Sequence, residues 1–373
     1  MPSDLHDGST VKPALKKKPP LLFKLLAVLI SLIGTLIVAE AVFRVAGVKG
    51  LYLTHRIDTV IPREGGPFER VPNGFIPFAT IQSRYDTDPR DYFDKGGILD
   101  HHFNSIGWRD EEHEQVKTPG VYRILALGDS YTFGQGVRLE QICIKQITRR
   151  LANDLPGQGF EGINAGLSAY NTGNERKLLA EKGVLYGPDL VIVNFVPNDL
   201  EEDVFHTGPK VVFYTEYTNT YMTPDALCSY SYLWSWMRQQ YLRSVRGGAY
   251  IQQCLGCFQE NSAKWLLCKQ SLEGIFRLCK KNNILCLVAI WPFYIDLDGD
   301  YLFQPIHDLV SELCKVEGIH VIDLREIYKE FNGPELWVHP MDQHPNEMAH
   351  KMAADAIADY LLSHKADFRL DRQ

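Results

Sequence analysis

Tyr122-Arg123-Ile124-Leu125-Ala126-Leu127-Gly128-Asp129-Ser130-Tyr131-Thr132-Phe133-Gly134-Gln135-Gly136-Val137 is the stretch that decides the fold. Its first six residues form a short, nearly unbroken apolar run, the pattern of a strand buried on both faces rather than one shared between core and solvent. Gly128-Asp129-Ser130 ends the run. Beyond it Leu139, Cys143, Ile147 and Leu151 recur at four-residue spacing, which sets apolar side chains on one face of a helix. A buried strand, a glycine-flanked turn and an amphipathic helix make the opening unit of a parallel sheet, because parallel neighbours need a crossover.

The same alternation continues downstream. Gly162-Ile163-Asn164-Ala165 predicts a second strand, Leu190 to Val196 a third, Ile284 to Ile290 a fourth and His320-Val321-Ile322 a fifth, with helical stretches between them. The expectation is an α/β fold with helices on both faces of a five-stranded parallel sheet. The last helix has the clearest period, with Ala349, Met352, Ala353, Ala356, Ile357, Tyr360 and Leu361 on one apolar face and Pro345 in its first turn.

In such sheets ligands sit beyond the carboxyl ends of the strands, so the turn after each strand is where chemistry is sought. Ser130 follows the first strand and opens a helix, where unpaired backbone N–H groups favour developing negative charge. Alone it would be an ordinary N-cap serine. A serine hydroxyl needs an imidazole to take its proton, and the imidazole needs a carboxylate to hold its tautomer. Asp342-Gln343-His344, just before the last helix, places both in one turn. Asn164-Ala165-Gly166 and Val196-Pro197-Asn198-Asp199 close the second and third strands. They offer a glycine N–H and an asparagine amide, donors suited to an oxyanion.

These four segments, in this order, resemble the conserved blocks of the SGNH (GDSL-like) hydrolase superfamily, as seen in membrane-anchored bacterial members. The resemblance spans roughly Arg123 to Leu362. It implies a three-layer α/β/α sandwich of flavodoxin-like topology and ester hydrolysis without a metal or other cofactor. Position by position it makes Ser130 the nucleophile, His344 the base and Asp342 the acid, with the Ser130 N–H, Gly166 N–H and Asn198 side chain forming the oxyanion hole. Tyr131 departs from the leucine of the GDSL string, Val196 from a glycine two positions before the asparagine, and Asp342 from the commoner three-residue offset. Phe103 to Asp110 is similar to a segment that precedes the catalytic block in anchored relatives. Asp129 and Asp199 are read as loop-stabilising carboxylates, and His339 and His350 as surface residues.

Upstream, an apolar run from Leu21 to Phe43 follows Lys16, Lys17 and Lys18. It is long enough to cross a bilayer, and the lysines favour a cytoplasmic N-terminus. The organisation expected is a basic tail (1–20), a transmembrane anchor (21–43), a linker and irregular accessory region (44–119), and an SGNH hydrolase domain (120–365) with an insertion at about 200–280. Ala39-Glu40-Ala41 allows the alternative of a cleaved signal and a secreted product. Both routes export the catalytic part.

The insertion is long for a connection and is read as a lid. Within it Tyr230, Leu233, Trp234, Met237 and Tyr241 share a helical face, taken as a packing face rather than a sugar platform. Cys228, Cys254, Cys257 and Cys268 cluster there. Disulfides are open to them in an exported domain, with the pairing undetermined, and no second CxxC supports a metal site. The net charge of −7 argues against a nucleic-acid partner. The substrate class left is a small-molecule, lipid or glycan ester, with short-chain and O-acetyl esters first. An O-acyltransferase using the same triad and a non-catalytic binding protein on the same fold are the alternatives. Oligomeric state is undetermined.

Overall fold

The computed structural model describes residues 20–51, 53–58, 74–199, 216–217, 226–242, 244, 248–259, 262–297 and 299–371. Its strands are β1 (Leu53–Asp58), β2 (Thr80–Tyr85), β3 (Ile98–His102), β4 (Val121–Gly128), β5 (Gly159–Gly166), β6 (Leu190–Phe195), β7 (Glu216–Tyr217), β8 (Leu285–Ile290), β9 (His320–Asp323), β10 (Trp337–His339) and β11 (Asp342–Pro345). Its α-helices are α1 (Leu21–Val45), α2 (Ser130–Phe133), α3 (Cys143–Asp154), α4 (Thr172–Glu181), α5 (Tyr232–Leu242), α6 (Gly248–Cys257), α7 (Ala263–Lys281), α8 (Gln304–Glu317), α9 (Arg325–Tyr328), α10 (Gly333–Leu336) and α11 (Glu347–Ser363).

The five apolar runs pair as a parallel sheet in the order β5-β4-β6-β8-β9. Ile124, Leu125, Leu127, Ile163, Val191, Val193, Leu287 and Val288 are fully buried, as strands covered on both faces must be. Helices α3 and α11 pack together over one face, and α4 pairs with α7 over the other, with α8 beside α7. This is the expected three-layer α/β/α sandwich. Strand order reverses at β4, whose Gly128 lies in register with Gly166 of β5 on one side and Asn194 of β6 on the other. The turns after β4, β5 and β6 therefore emerge side by side, at the switch point where open α/β sheets bind ligands.

The segment 44–119 is more regular than its composition suggests. β1, β2 and β3 form antiparallel pairs, with β7 on the other edge of β1. Tyr85, Phe103 and Trp108 join the same core as the sheet. At the far end Tyr122 Oη donates to the Phe368 carbonyl at 2.8 Å, and Phe368 and Leu370 are buried, so packing continues past 365.

Two local expectations shift. Leu139 lies in a short 3-10 turn ahead of α3. Pro345 ends β11 instead of starting α11, because Asn346 takes the N-cap and accepts the Ala349 N–H at 2.9 Å. None of the eight cysteines forms a disulfide, so the pairing left open for Cys228, Cys254, Cys257 and Cys268 is not made. The lid expectation for 200–225 lies, except for β7, outside the described residues.

The N-terminal apolar run forms α1, 25 residues with none buried. Its length and composition suit a membrane span, and a signal sequence shares them.

Candidate active site

Ser130 begins α2 directly beyond β4. The preceding Asp129 is its N-cap, accepting the Tyr131 N–H at 2.8 Å. His344 lies on β11, which the antiparallel pairing of Trp337 with Pro345 and His339 with Asp342 folds back toward β4. These two elements bring together side chains 214 positions apart, and Ser130 Oγ stands 2.8 Å from His344 Nε2. On the other side of the ring His344 Nδ1 hydrogen-bonds Asp342 Oδ1, which also accepts the His344 backbone N–H at 3.3 Å. A carboxylate facing Nδ1 assigns the ring proton to that nitrogen and leaves Nε2 to accept from the serine hydroxyl.

Burial opposes charge on His344. Asp342, through its charge and its hydrogen bond, and Asp129 through its charge, outweigh that effect and raise the imidazole above its ordinary 6.5. Asp129 is fully buried, and that burial raises its carboxyl despite the bond from the Tyr131 N–H, the charge of His344 nearby and the bond from the Asn198 amide.

The two neighbouring turns meet Ser130 differently. Asn198 Nδ2 donates to Asp129 Oδ2 at 3.1 Å, which ties the turn after β6 to the serine turn and leaves a second amide hydrogen. Gly166 presses against α2, where a Cβ would fall 2.4 Å from Phe133 N, so only glycine fits. Its N–H donates to Asn164 Oδ1 at 3.1 Å. The following Leu167–Tyr170 turn is closed by Tyr170 N–H on the Leu167 carbonyl and carries Ala169 at φ 62, a left-handed value a turn normally assigns to glycine. Asp199 accepts the Val196 N–H at 2.9 Å, the loop-stabilising role expected of it.

Residues 126–352 match the GDSL-like lipase/acylhydrolase family, more than half of the chain. The chain belongs to that family. Among solved structures, a lipolytic protein of the G-D-S-L family from Desulfitobacterium hafniense DCB-2 is 12% identical over 64% of this chain and 98% of its own, with a TM-score of 0.38. The lipase/acylhydrolase from Enterococcus faecalis is 14% identical over 65% and 96%, with a TM-score of 0.40. A two-domain esterase active on acetylated mannans is 16% identical over 66% and 50%, with a TM-score of 0.41. No curated protein matches the chain in sequence. Family membership makes the protein a hydrolase of the lipase/acylhydrolase type.

Sequence reasoning missed several supports of this site. Tyr85, at the end of β2, is buried and donates from Oη to Asp342 Oδ2 at 2.9 Å, while its ring stacks on Phe93 at 4.2 Å. The alternation Ile81, Ser83, Tyr85 is its only local signal, weakened by a central serine. Tyr131, the departure from the GDSL string, lies edge-on to His344 at 5.7 Å and stacks with Tyr294 at 6.1 Å, so it backs the imidazole.

The Phe103 to Asp110 segment acquires a structural role. Arg109 is buried and donates to the carbonyls of Phe133 at 2.7 Å, Gly134 at 2.6 Å and Val137, the last carbonyls of the serine turn. Burial lowers its guanidinium to about 10, which keeps it charged at neutral pH. Asp110 accepts the Asn164 N–H at 2.7 Å, and the Arg109 carbonyl accepts Asn164 Nδ2 at 3.0 Å. One short segment thus braces both the β4 and the β5 turns.

The surface reading of His339 and His350 is overturned, since both are fully buried. His339 bonds Thr87 Oγ1 at 2.8 Å and accepts the Met341 N–H at 3.2 Å, and so shapes the turn before Asp342. His350 accepts the Cys143 N–H at 3.2 Å, and burial, with Arg109 and His344 nearby, pushes it down to about 3, so it stays neutral.

Proposed function

We propose that the chain is a membrane-anchored serine esterase. Its nucleophile is Ser130, its base His344 and its orienting acid Asp342. The observation that carries this reading is the unbroken relay from Ser130 Oγ through both nitrogens of His344 to Asp342. His344 takes the hydroxyl proton as Oγ attacks the ester carbonyl. The resulting oxyanion is met by the Ser130 N–H, the free amide hydrogen of Asn198, and the Gly166 N–H on release from Asn164. Collapse expels the alcohol with the proton from His344. Water, deprotonated by the same imidazole, then attacks the acyl-enzyme, and the acid leaves as Ser130 regains its proton. Carboxylic esters with short acyl groups, O-acetyl esters among them, are the substrates of this reading. In it α1 spans the membrane from a cytoplasmic tail and places residues 120–370 outside.

The test is hydrolysis of aryl acetates and O-acetylated glycans by the full chain beside Ser130→Ala. Loss of turnover in the variant, with covalent labelling of the parent at Ser130 by an organophosphonate, is the expected result. Undiminished turnover in Ser130→Ala would end the assignment.

A further inference from the structure

Helix α5 has its polarity inverted. Ser235 and Gln239 face inward and are buried: Ser235 Oγ accepts the Gly50 N–H at 3.1 Å, and Gln239 Oε1 accepts the Leu51 N–H at 3.3 Å. The outward stripe is apolar, with Trp234 42%, Met237 48% and Tyr241 65% exposed, continued by Tyr230 and Leu227 just ahead of the helix. Positions 230, 234, 237 and 241 fall on one face of a 3.6-residue helix. Sequence periodicity read this stripe as a packing face, and its side chains keep a large part of their surface exposed.

The N-terminus of α5 is held by the end of α1. Glu40 accepts the Ser231 hydroxyl at 2.8 Å and the N–H groups of Tyr232 at 3.1 Å and Leu233 at 3.0 Å, capping α5 from another helix. Arg44 pairs with Glu40 at 2.7 Å and lies over the Tyr232 ring at 5.1 Å, and Phe43 meets Trp236 edge-on at 5.3 Å. From Leu21 to Glu40 an α-helix rises about 28 Å, close to the roughly 30 Å of a bilayer's hydrocarbon core. A spanning α1 therefore brings Glu40, Arg44 and the start of α5 to headgroup level. Trp and Tyr are the side chains that favour that layer, with an apolar body in the acyl region and a polar tip in water.

We infer that α5 is a second membrane contact, lying in the lipid–water interface with Tyr230, Trp234, Met237 and Tyr241 turned into the bilayer that α1 crosses. The inference rests on the anchor reading of α1. It also has a consequence for the site, because Gln239 Nε2 reaches Met341 Sδ, and Met341 immediately precedes Asp342. The helix on the membrane touches the turn that carries the acid, so the serine is held close to the bilayer surface.

The experiment uses the full chain in vesicles of phosphatidylcholine and phosphatidylglycerol, part of the phosphatidylcholine bearing a headgroup nitroxide that quenches nearby tryptophan. The chain is expected to float with the vesicles after an alkaline wash, and Trp234→Phe to lose the lipid-quenchable part of the emission while hydrolysing a soluble aryl ester as before. Failure to float overturns the anchor and this inference together. Flotation with equal quenching in parent and Trp234→Phe overturns the α5 contact alone, as does a cross-link through Trp234→Cys to a second copy of the chain.

Discussion

Tyr85→Phe isolates one hydrogen bond at the site. The substitution keeps the ring that stacks on Phe93 at 4.2 Å and removes the hydroxyl that donates to Asp342 Oδ2 at 2.9 Å. Asp342 is only 4% exposed, so water cannot readily replace the donor. A hydrogen bond to a charged group is worth about 1.5–3 kcal/mol. If the whole of about 2 kcal/mol is felt in holding the carboxylate against His344 Nδ1, turnover falls about 30-fold. The carboxylate left without its donor also stabilises the imidazolium more strongly. With His344 as the proposed base, activity needs its neutral form, so the acidic limb of the pH profile moves upward. The assay is kcat and kcat/KM on an aryl acetate across about pH 5 to 9, with thermal unfolding alongside. A lowered Tm with kcat and the limb unchanged would show Tyr85 to be structural only and refute the reasoning.

Two further perturbations test other parts of the site. Because Asp342 and Asp129 hold His344 above its ordinary 6.5, kcat/KM should rise with pH through a value higher than that. Asp342→Asn should move that limb downward, opposite to Tyr85→Phe, and lower kcat by about 10⁴-fold; an unmoved limb would assign the titration to another group. Arg109→Met strips the guanidinium donors from the carbonyls of Phe133 and Val137, while Gly134 keeps the Val137 N–H at 3.1 Å; at about 1–3 kcal/mol for each unsatisfied group, denaturant unfolding should show a loss of roughly 2 kcal/mol or more together with weakened esterase activity. A loss under about 1 kcal/mol would mean water replaces the guanidinium.

The sequence alone determined the sheet and the residues around the serine, since both are written in short local patterns. A strand buried on both faces needs an unbroken apolar run, and a turn that carries chemistry needs particular residues at fixed offsets, so β4, β5, β6, β8 and β9 and the turns holding Ser130, Gly166, Asn198 and Asp342 to His344 were legible one by one. The bracing of those turns was not. Tyr85 meets Asp342 across 257 positions, and Arg109 acts through carbonyls, which every residue carries and no pattern records. Periodicity likewise showed that α5 has an apolar face but not what covers it, because spacing reports which side chains point together while burial depends on which element arrives there. Only the tertiary structure turned that face outward beside the end of α1, buried His339 and His350, and engaged the Gly166 N–H with Asn164.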